Sequence, residues 1–388
     1  MDIKLGENAE ILINILNEAG FQGYAVGGYV RDSVMKIEPY DLDIATDATV
    51  EEMLKLFSGF RCLTQGAKHG TVAVIVSDDT IECTTYRIDG EYSDGRHPDS
   101  VTFSSRLFDD LSRRDFTVNA LAFNGSDGLI DLFGGLDDIE NRIIRAIGDP
   151  DKRFNEDALR IMRAMRFSAD LNFSVQDETS ESMKRNSGRL SLVSSERITA
   201  EFEKLLVGEN IRYVLENFGD VLSVILGDVK LDGDIINAVE RCPKEFDLRL
   251  FALVSKCDEP MSALENSRLI IRKSDKKTIA QLSQMKQLSL PTDRKGLKHL
   301  MSRFDISSVE KYLRFSGSDF LSEQMSSVLQ NDECFSLAQL KIGGERLAQL
   351  GFHGREIQLA KEKILGEIID GKLQNDDAEI LDYLKARQ

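Results

Sequence analysis

The apolar positions of the first 150 residues change period several times, whereas those that follow keep one. Ile11, Leu12, Ile15 and Leu16 recur at helical spacing and predict an opening helix. "GYAV" reads as a strand running into "GGYVRDSVM", a turn and a helix. "DLDIAT" predicts a short strand, and "TVEEMLKLF" a helix opened by a capping box of Thr49 and Glu52. "TVAVIVS" and "TIECTTYRI" predict two further strands, separated by a turn around Asp78 and Asp79. Beyond Pro150 strand-like runs become rare and helical periodicity dominates. The pattern predicts an α/β head over residues 1–150 followed by an all-helical remainder. Within that remainder "NEDALRIMRAMRF" (155–167) predicts one helix, with Leu159, Met162 and Met165 on its apolar side. No period of 20–50 residues repeats, and no low-complexity tract occurs.

Composition narrows the class. A chain of 388 residues is long enough for two to four domains, and 41% apolar residues supply their cores. Charged residues at 30% with only 6 Pro exclude a disordered chain. No run approaches the roughly 18 apolar residues of a membrane span, so no membrane partner is expected. The opening "MDIKLGENAE" is acidic and lacks an apolar core, so no secretory leader is expected. Five Cys (62, 83, 242, 257, 334) form no C-x-x-C pair and fit reduced thiols in a cytoplasm.

The net charge of −17 argues against a nucleic-acid ligand, but it hides a local reversal. From Arg268 to Arg303 ten Lys or Arg face two Asp. Arg272, Lys273, Lys276 and Lys277 begin that run and are its candidate RNA contacts; taken alone, it reads equally as a solvated helix surface.

The densest chemistry lies in "VGGYVRDSVMKIEPYDLDIAT" (26–46). Asp41 and Asp43 are two residues apart, so a strand would point both to one face. Both carboxylates can then ligate a pair of Mg²⁺ ions, the arrangement that clamps the attacking and leaving oxygens of an in-line phosphoryl transfer. Glu82, in "TIECTTYR", offers a third carboxylate on a neighbouring strand, with Cys83 on the opposite face. Gly27 and Gly28 let the backbone approach a phosphate, the following helix offers N–H groups, and Arg31 adds a charge-assisted donor. A lone D-x-D is most often a solvated turn; joined to G-G-x-V-R-D at this spacing it becomes specific.

With these motifs in order, the head resembles the polymerase-β-like nucleotidyltransferases, and within them the class II tRNA nucleotidyltransferases: the CCA-adding enzymes and their bacterial poly(A) polymerase relatives. G-G-Y-V-R-D with D-L-D is similar to the family's metal and triphosphate motif. "SRRDFTVNALAFN" (112–124) resembles its ribose motif, "EDALRIMRAMRF" (156–167) its nucleobase motif, and "SSERITAEFEKLL" (194–206) its neck-stabilising motif. The resemblance is strong over roughly residues 22–206 and weak in the C-terminal half. It implies an α+β fold: a mixed-sheet nucleotidyltransferase head (1–150), a helical neck that selects the base (151–210), and a helical body and tail that bind tRNA (211–388).

Two segments choose within the family. "TQGAKHGTV" (64–72) is similar to the CCA-adding subgroup and lacks the Arg-rich segment typical of the poly(A) polymerases. "DGEYSDGRHPDSVTF" (89–103) resembles the flexible loop that full CCA enzymes need for the final A. No appended phosphohydrolase signature follows.

Asp157 and Arg160 lie three apart on the expected 155–167 helix. Taken alone, they read as a routine ion pair at a helix start, with Asn155 as cap. The resemblance makes them the base-reading pair, and the hydrogen-bond chemistry agrees. Asp accepts and Arg donates, which suits the amino group and adjacent ring nitrogen of cytosine or adenine; uracil and guanine present the reverse. Glu156 is expected to orient its neighbours. Arg163 and Arg166 are further nucleotide-binding candidates. Arg114, Asp115 and Asn119 resemble the ribose-binding residues and are expected on a helix. His69 and His97 lack metal-ligand spacing. "GGERLAQLGFHGREI" (343–357) is either a phosphate-binding helix start or a plain turn.

The expected activity is addition of C, C and A to tRNA 3′ ends from CTP and ATP, with two Mg²⁺, the tRNA acceptor stem and TΨC arm as partner, and no obligate protein partner. An A-only adding enzyme, a poly(A) polymerase and a catalytically idle RNA-binding protein are its rivals.

Overall fold

A computed structural model describes residues 3–39, 41–90 and 100–386. Among them, seven strands form one mixed sheet: β1 (Gly23–Val26), β2 (Asp43–Thr46), β3 (Arg61–Leu63), β4 (Thr71–Val76), β5 (Asp79–Thr85), β6 (Leu121–Asn124) and β7 (Gly128–Asp131). Their order is β3-β4-β5-β2-β1-β6-β7. The β2–β5 pairing is parallel and the other five are antiparallel.

Alternation along these strands decides what each face does. Leu12 and Leu16 of the helix Glu7–Glu18 pack with Ile44, Met53, Phe57, Val72, Val74, Ile81 and Cys83 in one core. Tyr24, Val26, Ala45, Leu111, Ala120 and Ala122 form a second core. The expected capping box opens the helix Val50–Leu56, with the Thr49 side chain and Glu52 exchanging bonds.

The chain divides into two compact units: Met1–Leu231 with Glu265–Ile270, and Asp232–Leu264 with Ile271–Gln388. The first holds the sheet and four helices that matter below: Pro150–Glu156, Leu159–Leu171, Asp177–Asn186 and Ser195–Val207. Leu159–Leu171 packs on Ser195–Val207, and Ile161, Met165, Ile198, Phe202 and Leu205 of the two helices are fully buried. Strand structure beyond residue 150 shrinks to a two-residue pairing of Ser174–Val175 with Ile143–Ile144. The second unit is helical in its described residues. No helix of the described chain is long and apolar enough to cross a membrane.

Candidate functional site

The carboxylates are placed by backbone register. Asp43 is the register partner of Glu82 across the parallel β2–β5 pair. Ile44 and Cys83 enter the first core, so the alternating neighbours Asp43 and Glu82 face away from it and are exposed. The strand begins at Asp43, two residues later than expected, so Asp41 comes from irregular backbone. Leu42 packs against the same core as Ile44, which leaves Asp41 on the side of Asp43. Surrounding protein raises the Asp43 carboxyl pKa; Arg114 opposes the rise, while the like charges of Glu82 and Asp41 add to it.

Gly27 begins the opposite wall. Its φ of +76° is left-handed, and a Cβ there would stand 2.9 Å from an Arg114 guanidinium nitrogen. The helix Gly28–Val34 follows and buries Arg31. Arg31 Nη1 donates to Asn119 Oδ1 at 2.6 Å, and Asn119 Nδ2 donates to Asp115 Oδ1 at 3.0 Å. Asp115 and Asn119 do not share the expected α-helix. Only a 3₁₀ turn, Thr117–Asn119, forms there, and Phe116 bridges to Ala146 instead. The Asp115–Asn119 bond survives because the turn keeps both side chains on one side. Burial would raise the Asp115 carboxyl, but Arg163 and Asn119 hold it down at about 2. Asp110 is likewise buried, and Arg114 and Arg113 hold its carboxyl below the ordinary range.

The single helix expected over residues 155–167 is broken. One helix ends at Glu156 and the next starts at Leu159, with Asp157 between them in extended backbone (φ −143°, ψ 106°). The Asp157 Oδ1 accepts from the Leu159 N–H at 3.0 Å, the local side-chain bond by which Asp competes with a helix. Asn155 caps nothing; its amide donates to the Asp151 carbonyl within the preceding helix. The Asp157–Arg160 ion pair is replaced by two others. Arg197, from Ser195–Val207, donates to Asp157 Oδ2 at 2.7 Å. Arg160 donates to Glu156 at 2.6 Å and to the carbonyls of Arg153 and Arg113. Glu156 also accepts from Arg153 at 2.8 Å, and so orients its neighbours as expected.

Arg163 and Arg166 complete this wall around Phe167. Arg163 pairs with Asp115 at 2.7 Å and with Glu201 at 3.6 Å, while Arg166 pairs with Glu201 at 2.6 Å. The guanidinium carbons of Arg166, Arg31 and Arg163 lie 3.9, 5.1 and 5.2 Å from the Phe167 ring centre.

One cavity of about 540 Å³ gathers these groups. Gly27, Gly28, Arg31, Asp41, Asp43, Arg114, Asp115, Asn119, Asp157, Arg160, Arg163 and Arg166 all line it. Asp41 and Asp43 also line an adjoining cleft of about 990 Å³, and Glu82 lies in that cleft rather than in the first cavity. Arg113, Phe167 and Lys204 line the first cavity but escaped sequence reasoning, as did Arg197 and Glu201 behind it. Arg113 and Phe167 stand inside quoted motifs, yet linear spacing does not reveal which neighbour turns inward.

Of the basic run, Arg272 pairs with Asp275 at 2.8 Å and Lys277 with Asp305 at 2.5 Å, both in the second unit. Lys273 begins the helix Lys273–Gln287, on which Lys276 also lies. The helix after Gly343 spans only Gly344–Gln349. The His69 carbonyl accepts from Arg87. His97 and the loop core Tyr92–Pro98 lie outside the described residues.

The chain is similar to known proteins in sequence and in fold. Residues 23–145 match the family described as Poly A polymerase head domain, and residues 172–218 match "Probable RNA and SrmB- binding site of polymerase A". The CCA-adding enzyme of Bacillus subtilis (strain 168) is 47% identical over 205 residues, 53% of this chain and 51% of that protein. The CCA-adding enzyme of Lactobacillus helveticus (strain DPC 4571) is 44% identical over 209 residues, 54% of this chain and 52% of that protein. The chain thus spans about half the length of the curated relatives it matches. A crystal structure of the Bacillus stearothermophilus CCA-adding enzyme in complex with CTP superposes with a TM-score of 0.80 at 28% identity, covering 98% of this chain and 97% of that one. Residues 23–145 thus carry a Poly A polymerase head domain, and the fold of the chain is similar to that of a CCA-adding enzyme, a tRNA nucleotidyltransferase.

Proposed function

We propose that this protein adds C, C and A to tRNA 3′ ends without a template, using CTP and ATP and releasing pyrophosphate. One observation carries the reading: a single cavity holds both a carboxylate edge and an Asp–Arg pair of opposite hydrogen-bonding sense. The similarity to CCA-adding enzymes, one of them crystallised with CTP, supports it.

Gly27 and Gly28 offer bare backbone to the triphosphate, and Arg31 and Arg114 supply positive charge beside it. Asp115 and Asn119 take the ribose. Asp157 accepts from the exocyclic amine of cytosine or adenine, and Arg160 donates to the adjacent ring nitrogen. A guanidinium carries five N–H donors, and the bonds of Arg160 to Glu156, Arg153 and Arg113 take three. Uracil or guanine would oppose acceptor to acceptor and donor to donor, at about 1–3 kcal/mol for each unmet group. Arg163 and Arg166 add charge beside the nucleotide.

The donor set fits Mg²⁺. Asp41, Asp43 and Glu82 offer only oxygens, and their mutual repulsion at Asp43 is a negative excess that a cation relieves. Among the described residues no three His, Cys, Asp or Glu stand close enough together to hold a metal ion by themselves. An open edge suits an ion that shares its shell with phosphates. When bound, a Mg²⁺ pair would activate the primer 3′-hydroxyl and steady the departing pyrophosphate. In the transfer itself the 3′-hydroxyl oxygen bonds to the α-phosphorus as the bond to pyrophosphate breaks.

We assign nucleotidyl transfer to the head (1–150), base choice to the neck (151–210), and grip on the acceptor stem and TΨC arm to residues 211–388, with Arg272, Lys273, Lys276 and Lys277 as phosphate contacts. Five free thiols suit a cytoplasmic setting. Labelled CTP and ATP offered to tRNA ending before, between and after the two Cs test the whole reading. Stepwise C, C, A addition is expected. A alone, or a long A tract, would replace it with an A-adding enzyme or a poly(A) polymerase.

A further inference from the structure

We propose that Arg197 is a positioning residue for base choice: it holds Asp157 away from Arg160, so that the two groups face a base instead of each other. The inference rests on the base-reading role given to that pair above.

Asp157 and Arg160 lie three positions apart, close enough for the ion pair the sequence suggests. Each is instead engaged by an outside partner, Arg160 by Glu156 at 2.6 Å and Asp157 by Arg197 at 2.7 Å. Asp157 needs its partner more. It sits in extended backbone between two helices, and apart from Arg197 its carboxylate is held by the single Leu159 N–H bond.

Arg197 reaches it as a fork, Nη2 to Oδ2 and Nη1 to Oδ1 at 3.4 Å. A carboxylate has about four acceptor sites. Leu159 and Arg197 take both on Oδ1 and one on Oδ2, which leaves one site on Oδ2 for an exocyclic amine. Both side chains are partly buried, where an ion pair escapes most screening. Arg197 does not itself line the cavity among the described residues, so it acts through Asp157 rather than on the base. The field of Asp157 already reaches Arg163. Without Arg197 the carboxylate would turn to Arg160 or Arg163 and close the reading face.

The test uses the full chain with Arg197→Met, Arg197→Lys, Asp157→Ala and the Arg197→Met/Asp157→Ala double variant. Three quantities are read: kcat/KM for CTP and for UTP on a tRNA transcript lacking CCA, Kd for each nucleotide, and the melting temperature. Arg197→Met should lower the CTP-over-UTP ratio about tenfold, the scale of one charge-assisted bond. It should act more on KM than on kcat. The double variant should be no less selective than Asp157→Ala alone, because both changes remove one interaction. Arg197→Lys, a single donor in place of a fork, should restore part of the ratio. If Asp157→Ala loses selectivity while both Arg197 variants keep it, Arg197 only braces the neck and the proposal is overturned. Additive losses overturn it too. If Asp157→Ala itself keeps the ratio, the base-reading assignment falls, and this proposal with it. Should Arg197→Met fail to fold, Arg197→Lys decides by the same ratio, an unchanged value overturning the proposal.

Discussion

Asp43 and Asp157 line the same cavity, yet one is aimed by backbone and the other by side chains. Asp43 is fixed in the ladder opposite Glu82, and a one-residue slip would bury it and expose Ile44. Asp157 stands at a break between helices and depends on Arg197 and the Leu159 N–H. The carboxylate edge therefore gathers like charges, offset in part by Arg114, on a rigid frame, while the wall around Asp157 holds its charges in side-chain ion pairs. Rigid placement suits groups that meet every substrate alike. A network of exchangeable ion pairs would suit the proposed role of this wall, accepting two different bases.

Asp43→Asn breaks the comparison most severely. Nucleotidyl transfer from CTP and from ATP should fall on the order of a thousandfold, the scale seen when a group that steadies transition-state charge is removed. The melting temperature should hold or rise, since Glu82 and Asp41 no longer have a like charge beside them. A fall in both would show that the edge is structural.

Asp115→Asn is the converse. Its carboxyl lies at about 2 against an ordinary 3.8, so it stabilises the fold above the unfolded value and loses that contribution as pH falls from about 4 through 2. The shift corresponds to about 2 kcal/mol, and Arg163 would keep only its longer ion pair with Glu201. Melting curves from pH 7 to pH 2 should show a large deficit for the variant at neutral pH that narrows at acid pH. A deficit independent of pH would remove the ion pair as its cause.

Asp157→Ala sharpens the contrast at the other wall. The CTP-over-UTP preference should fall roughly 5- to 150-fold, the value of one discriminating hydrogen bond. Metal dependence should stay as it was, because the carboxylate edge is held separately. An unaltered preference in the folded variant would end the base-reading assignment.

Deleting Tyr92–Pro98 should spare C addition and suppress A addition, read on tRNA primers ending before, between and after the two Cs. Equal loss of both would make the loop structural.

The smallest effect belongs to the basic run. Charge reversal at Lys276 and Lys277 should raise KM for tRNA and reduce the salt slope by roughly 0.7–0.9 for each phosphate no longer neutralised. Lys277 already pairs with Asp305, so the greater part of the change should come from Lys276. An unchanged slope would make the run a solvated surface.

What the sequence determined by itself was what short-range rules control. The alternation around Ile44 and Cys83 placed Asp43 and Glu82 on one face, and the glycine pair announced a backbone without side chains. The capping box at Thr49, the helical remainder and the ordered motifs were legible for the same reason. Tertiary structure alone decided who pairs with whom. Asp157 and Arg160 are neighbours in the chain, but Arg197, 40 residues on, takes Asp157. Arg163 finds Asp115 across 48 residues. The break at Asp157 escaped periodicity because the apolar spacing of Leu159, Met162 and Met165 runs unbroken just beyond it, while an Asx-type bond and a distant guanidinium decide the backbone there. Periodicity records which face is buried. It does not record which of several arginines lies nearest a given carboxylate once helices pack, because Coulomb attraction depends on distance in space and not on spacing along the chain.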